Sequence, residues 1–287
     1  MTTSYAVLTQ ATITPEILSG YRNYLTTEEL AASTIEKYLS AVTRFAAWLG
    51  IRPLDKIAAI EWRNSLQGKY SDVTINAMVS GLNNLFKYMN RLDCHLKFLE
   101  VREKNFQEES RILTKAEYEK LLATAEAAGK IRLKMIMLTL GSTGVRASEL
   151  RFFTVEAIER KVITIRNKGA TRQIPIGSDL RRELLRYAKK QKITSGPLFI
   201  TRTGKPLSRR QIWGELKRLS EAAGVEGSKV FPHSFRKLFA REHYRRHRDM
   251  PNLSIALGHK SIDTTRIYLK KTSDVFERQM DELGMVS

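Results

Sequence analysis

Three short strings in this chain place arginine, histidine and tyrosine beside turns, where side chains can meet a ligand. The first is Thr143-Gly144-Val145-Arg146-Ala147-Ser148-Glu149-Leu150. An arginine just after a glycine turn, at the start of a helix, can aim its planar fork at a phosphate beside helix N-terminal amides. Glu149, one turn later, can orient that arginine. Taken alone, Arg146 equally suits a structural ion pair. The second string is Pro232-His233-Ser234-Phe235-Arg236. His233 and Arg236 are three residues apart and so share one face of a starting helix. A titratable imidazole beside a fixed guanidinium suits proton transfer at an anion, although a capping histidine with a surface arginine reads the same way. The third runs from Leu257-Gly258-His259 to Tyr268. Gly258 closes one helix, His259 sits on the turn, and Tyr268 ends the next helix; a tyrosine there is ordinarily core.

These residues have to be held by ordered elements. A helical pattern begins at Ser33, whose spacing to Glu36 fits a capping box, and continues through Ile35, Leu39, Val42, Phe45 and Leu49 before Gly50 and Pro53 end it. Ile75, Met78, Val79, Leu82, Leu85, Phe86 and Met89 mark a second amphipathic helix. Residues 1–12 lack periodicity and are expected to fray. The segment 101–111 is polar and aperiodic and reads as a linker. Thr114 and Glu117 make another capping box, opening a helix to about Ala127, and Ile131–Leu140 reads as a buried helix. Val162–Arg166 and Arg172–Ile176 are β-rich runs joined by Asn167-Lys168-Gly169-Ala170-Thr171, a hairpin with glycine in its loop. Helices follow at about 178–191, 208–223, 234–247, 252–257 and 261–270, with a tail helix near 273–283. The expected fold is mainly α with a small β-sheet. It has an N-terminal helical domain over 13–100, a linker over 101–111 and a C-terminal domain over 112–287.

Charge points to a polyanion. The 287-residue chain carries a formal net charge of +19. Residues 1–100 hold 10 Lys+Arg against 9 Asp+Glu, and residues 101–287 hold 39 against 21, so the excess is +1 in the front part and +18 in the rest. Such confinement suits a surface built for nucleic acid. One cysteine, Cys94, excludes an internal disulfide and fits a reducing compartment. It reads as a buried structural thiol. With no signal-peptide pattern and no apolar run of spanning length, the chain is expected in the cytoplasm, on the nucleoid when bound, with no membrane association. The sequence has no G-x-x-x-x-G-K-[ST] loop and no carboxylate cluster for two metals. His243 and His247 have a zinc-compatible spacing, but the surrounding arginines oppose a cation there.

Together and in this order, the T-G-x-R-x-S-E-L, H-x-x-R and L-G-H-x-S-x-x-T-T-x-x-Y strings resemble the tyrosine recombinase family, the Xer-type recombinases and phage or transposon integrases. The resemblance covers nearly the whole chain. It implies a helical core-binding, SAM-like DNA-binding domain in front of a catalytic domain. It further implies that Tyr268 attacks the scissile phosphate to leave a 3′-phosphotyrosyl bond, and that Arg146 and Arg236 clamp the non-bridging oxygens. By the same resemblance His233 is the acid–base partner of the tyrosine and His259 donates to the phosphate. Lys168 protonates the leaving oxygen, with Lys161 and Arg172 as flanking alternatives should the register slip, and Glu149 supports the site. Neither metal nor other cofactor is implied. The implied partners are double-stranded DNA with specific recombination sites, three further copies in a homotetramer that passes through a Holliday junction, and possible accessory DNA-bending proteins. The tail 273–283 is a candidate for docking into a neighbouring protomer. Lys237 stands where many members of the family have histidine. Two other readings are a type IB topoisomerase, against which the short helical front domain argues, and a DNA-binding accessory protein that has lost catalysis, against which the filled catalytic positions argue.

Overall fold

The structure is a computed structural model, which describes residues 12–101, 112–167, 170–201, 203–259, 261–269 and 280–282. The chain divides into two compact units, Met1–Glu103 and Lys104–Ser287.

The first unit is all helical: α1 (Pro15–Thr27), α2 (Ala32–Leu49), α3 (Lys56–Ser65) and α4 (Asp72–Tyr88). Two of these start on signals the sequence reading passes over. Thr14 Oγ1 caps α1 by accepting from the Ile17 N–H at 3.4 Å, ahead of Pro15 in the first turn. Asp55 caps α3 through the Ala58 N–H at 2.7 Å. The Ser33 capping box is a correction. α2 begins at Ala32 behind an Ala31 that makes no side-chain cap, because the Ala31 carbonyl already closes the first turn to Thr34 and Ile35. Glu36 instead pairs with Arg22 at 2.9 Å. Phe45 centres the core, edge-on to Trp62 at 5.3 Å and to Phe86 at 6.2 Å. Cys94 is buried and free, as the apolar stretch around it suggests.

Two asparagines of α4 hold the chain that leaves this unit. Asn83 donates to the Leu96 carbonyl at 2.9 Å and accepts from its N–H at 2.8 Å. Asn76, two turns earlier, does the same with Leu99, at 2.8 Å each way. Each amide takes the place of a strand neighbour, giving an extended segment the backbone partners it lacks.

The second unit is mainly helical around one antiparallel hairpin. α5 (Lys115–Ala127) opens on the full Thr114–Glu117 capping box. α6 (Ile131–Thr143) runs three residues beyond the expected end and stops at Gly144, which is left-handed at φ 64°. A Cβ there would strike the rings and methyls of Phe239 and Leu257, so glycine is required twice over. A short 3₁₀ turn (Ala147–Phe152) and α7 (Val155–Glu159) lead into β1 (Val162–Asn167) and β2 (Ala170–Pro175), paired from Val162 with Pro175 to Asn167 with Ala170. The hairpin connection is therefore tighter than the five-residue loop expected from composition. Buried Ile163, Ile165 and Ile174 fasten the hairpin to the core. α8 (Ser178–Lys190), α9 (Arg209–Ala222), α10 (Pro232–His247), α11 (Met250–Leu257) and α12 (Ile262–Arg266) complete the unit, and a 3₁₀ turn (Ile267–Leu269) carries Tyr268. No helix among the described residues is long and apolar enough to cross a membrane.

The Asn83 clamp has a measurable consequence. Asn83→Ala leaves the Leu96 N–H and C=O without their partners and should destabilise the first unit by about 2 kcal/mol. In a Trp213→Phe background only Trp48 and Trp62 report, so urea unfolding followed by fluorescence isolates this unit. An unchanged midpoint would show that the exit segment is held by other contacts.

Candidate active site

The second unit brings its chemistry-bearing residues together from three places in the chain. Pro232 in the first turn, with Ser234 Oγ accepting from the Phe231 N–H at 3.2 Å, sets where α10 begins. That start puts His233 and Arg236 on one face. Gly258, left-handed at φ 63°, ends α11 and turns the chain so that His259 comes back over α10. The Tyr268 ring then stands edge-on between two imidazoles. Its centroid lies 5.2 Å from His233 at 82° and 5.1 Å from His259 at 74°. The Arg236 guanidinium carbon is 6.0 Å from the same centroid. Tyr268 itself is 9% exposed.

Arg236 is fully buried, and its terminal nitrogens meet two backbone carbonyls and one imidazole. Nη1 donates to Gly144 O at 2.5 Å, and Nη2 donates to Leu257 O at 2.6 Å and to His259 Nε2 at 2.9 Å. Burial pushes the Arg236 pKa down, as does nearby Arg146, while the Tyr268 hydroxyl supports the charge. Guanidinium nitrogens only donate, so His259 Nε2 must accept here. The ring proton then sits on Nδ1, which donates to the buried Thr265 Oγ1 at 2.8 Å.

Arg146 precedes the 3₁₀ turn and is partly exposed. Its Nη1 meets Glu149 Oε1 at 3.0 Å, and its backbone N–H meets Oε2 at 2.8 Å. Glu149, only 1% exposed, also accepts from Arg172 Nη2 at 2.7 Å. Arg146, Ala147, Ser148, Arg209, Pro232 and His233 line a cleft of about 160 Å³.

Both histidines are tuned away from their usual range. Burial first, then the positive charges of Lys237, Arg236, Arg146 and Arg209, push His233 down to about 4. Burial, followed by Arg236, Arg146, Arg172 and His233, pushes His259 down to about 4. Both imidazoles are therefore neutral at pH 7, and the local charge comes from arginine.

Six of the residues singled out from the sequence thus converge: Arg146, Glu149, His233, Arg236, His259 and Tyr268. Lys168 lies outside the described residues. Tyr268 sits on a 3₁₀ turn rather than at the end of a long helix, because α12 tightens after Arg266. Sequence reasoning missed three neighbours. Thr265 lies inside the third string, where its spacing to His259 carries no evident signal. Arg209 signals only as one of many basic residues. Arg172 is read merely as a flank of Lys168, because its partners lie 23 and 85 residues away.

A family model described as the phage integrase family matches residues 111–274, more than half of the chain. This chain belongs to the phage integrase family of tyrosine recombinases. It is 29% identical to tyrosine recombinase XerA of Pyrococcus furiosus over 96% of this chain and 97% of that protein. It is 31% identical to tyrosine recombinase XerD of Xanthomonas campestris over 55% of this chain and 54% of that protein. Among solved structures, it matches a lambda integrase tetramer bound to a Holliday junction with a TM-score of 0.73 at 18% identity, covering 88% of this chain and 76% of the other. A XerA recombinase crystal structure matches with a TM-score of 0.53 at 23% identity, over 95% and 99%. The structural likenesses establish the shared fold.

The lowered histidine pKa values make a direct prediction. The stability contributed by a neutral His233 and His259 is present above the unfolded pKa of about 6.5 and is lost as pH falls towards 4. In the free protein their ring-proton NMR shifts should be flat between about pH 7 and 5.5 and move only near 4. Midpoints near 6.5 would mean that neither burial nor the neighbouring arginines disfavour the charged rings.

Proposed function

We propose that this recombinase cleaves and rejoins double-stranded DNA at specific sites through Tyr268, with the whole catalytic set supplied by one protomer. The observation that carries this reading is the placement of the Tyr268 ring against His233, His259 and Arg236 of its own chain. The Tyr268 oxygen attacks phosphorus, forming a 3′-phosphotyrosyl bond as the P–O5′ bond breaks. Its proton passes to His233, and Lys168 protonates the departing 5′ oxygen. Arg146 and Arg236 bear on the non-bridging oxygens, replacing solvent with fixed positive charge where charge builds up. His233 starts neutral, as an acceptor must, and a bound phosphate raises its affinity for the proton. His259 donates to the phosphate from Nε2 once Arg236 Nη2 turns to the anion and the ring proton moves from Nδ1 to Nε2, leaving Nδ1 to accept from the Thr265 hydroxyl. The phosphotyrosyl bond retains the energy of the phosphodiester, so attack by a 5′ hydroxyl from a second duplex reverses the step and exchanges strands. The front unit, about 13–100, serves as a core-binding DNA domain, and the +18 excess of the remainder supports backbone contacts and salt-dependent affinity.

Assembly into a tetramer through the tail rests on charge and shape. Residues 273–283 hold Asp274, Glu277, Asp281 and Glu282 against Arg278 alone, with Val275, Phe276 and Met280 at helical spacing; most of them lie outside the described residues. An open cavity of about 560 Å³ between α5, α6 and α10 offers Tyr118, Leu238 and Phe239 beside Lys115, Arg246 and an Arg245 paired with Glu242. An acidic amphipathic helix from a second copy fits that lining.

Incubation with nicked suicide substrates in EDTA, without ATP, tests the chemistry. Wild type should leave a covalent protein–DNA band on a denaturing gel, and Tyr268→Phe should leave none while binding the same DNA. Bound DNA without any adduct would favour an accessory DNA-binding protein. Deletion of 273–287 should preserve cleavage of a single nicked site but abolish the paired-site complex on native gels. Normal pairing by the truncated chain would remove the tail from the interface.

A further inference from the structure

Outside the residues assigned to the chemistry, one half-buried side chain joins the first and third parts of the site. Arg172, on β2, donates through Nη2 to Glu149 Oε2 at 2.7 Å and through Nη1 to Leu257 O at 2.6 Å. Its side chain is 18% exposed. Arg172 packs directly over Gly258: a Cβ there would strain the left-handed backbone and push the Arg172 side chain aside.

Glu149 divides its carboxylate. Oε1 faces Arg146 Nη1, while Oε2 takes Arg172 Nη2 and the Arg146 backbone N–H. A carboxylate with 2% of its side chain exposed has little access to water and must find its counter-charge in the protein. Among the described residues, Arg146 and Arg172 are the two cations paired with it. Were Arg172 absent, the full negative charge would fall on Arg146. The natural outcome is a two-pronged Arg146–Glu149 pair, since a guanidinium fork matches both carboxylate oxygens. That pair would withdraw the Arg146 donors from the cleft they share with His233.

We propose that Arg172 is a positioning residue that, by holding half of the Glu149 carboxylate, keeps Arg146 available to the scissile phosphate. The proposal rests on the reading of Arg146 as a phosphate clamp. Arg172 does not itself meet the DNA. It decides how much of the Arg146 charge is spent inside the protein.

The test uses the full chain, a nicked suicide substrate and four variants. Arg172→Met should slow single-turnover cleavage about 100-fold. The Kd for DNA should stay within about threefold, because many phosphate contacts share the affinity. Adding Glu149→Gln to Arg172→Met should restore cleavage by about tenfold, because a neutral amide cannot hold Arg146 as a carboxylate does. A merely structural Arg172 predicts the opposite sign, with the double variant as slow as the single one or slower; that result, or a loss seen in Kd alone, overturns the proposal. Arg172→Lys keeps the charge and covers the case in which Arg172→Met does not fold. It should cleave faster than Arg172→Met if that variant folds and, in any case, within about tenfold of wild type; a loss as large as that expected of methionine overturns the proposal too. Arg146→Ala must slow the same reaction, and if it does not, Arg172 has no clamp to act through. Absence of a Tyr268 adduct in wild type would instead overturn the recombinase chemistry itself.

Discussion

A guanidinium with no exposed surface must be given acceptors, and Arg236 finds two at the ends of helices. Gly144 caps α6 and Leu257 closes α11, and both carbonyls point at the same side chain. Helix C-termini carry partial negative charge, so these carbonyls are well suited to a buried cation. Each is followed or formed by a left-handed glycine, which bends the chain away and leaves the carbonyl directed inward. The first and third sequence strings contain those glycines, and the second contains the arginine. The three strings are thus parts of one electrostatic arrangement centred on Arg236, and the site takes its geometry from that arrangement.

The same arrangement explains the state of the histidines. Arg236 occupies His259 Nε2 as a donor, which leaves His259 neutral with its proton turned towards Thr265. Burial, and then the charges of Lys237 and the surrounding arginines, discourage protonation of His233 as well. Without DNA, many of the donors in the site are engaged by protein acceptors. A phosphate entering the cleft offers better acceptors than a neutral imidazole and counterbalances the arginine cluster. On the proposed reading of Arg236 as a phosphate clamp, binding and activation are coupled through it.

Local patterns made most of this legible. The α5 capping box, the apolar stripes of α2 and α4, the hairpin, and the glycine–arginine, histidine–arginine and histidine–tyrosine strings all rest on interactions within a few residues. α1 was legible too, in Thr14-Pro15, but a lone cap without a long apolar stripe carries little weight. Ser33 shows the converse: correct spacing counts for nothing when backbone bonding from Ala31 begins the helix earlier. Arg172 lay beyond local reading. Its partners, Glu149 and Leu257, lie 23 and 85 residues away and are brought to it only by the tertiary fold, and an arginine on a strand is ordinarily a solvent-facing residue. Thr265 escaped for the same reason, since only the fold shows which hydroxyl an imidazole will meet.

The paired asparagines of α4 concern force rather than chemistry. Asn83 and Asn76 hold Leu96 and Leu99 through four hydrogen bonds arrayed along the helix. The chain runs from there toward the second unit. Any tension carried by that connection reaches Leu99 before it reaches the first core, and is met there by the two hydrogen bonds from Asn76. α4, with seven buried residues of its own, thereby serves as the mechanical anchor of the tether.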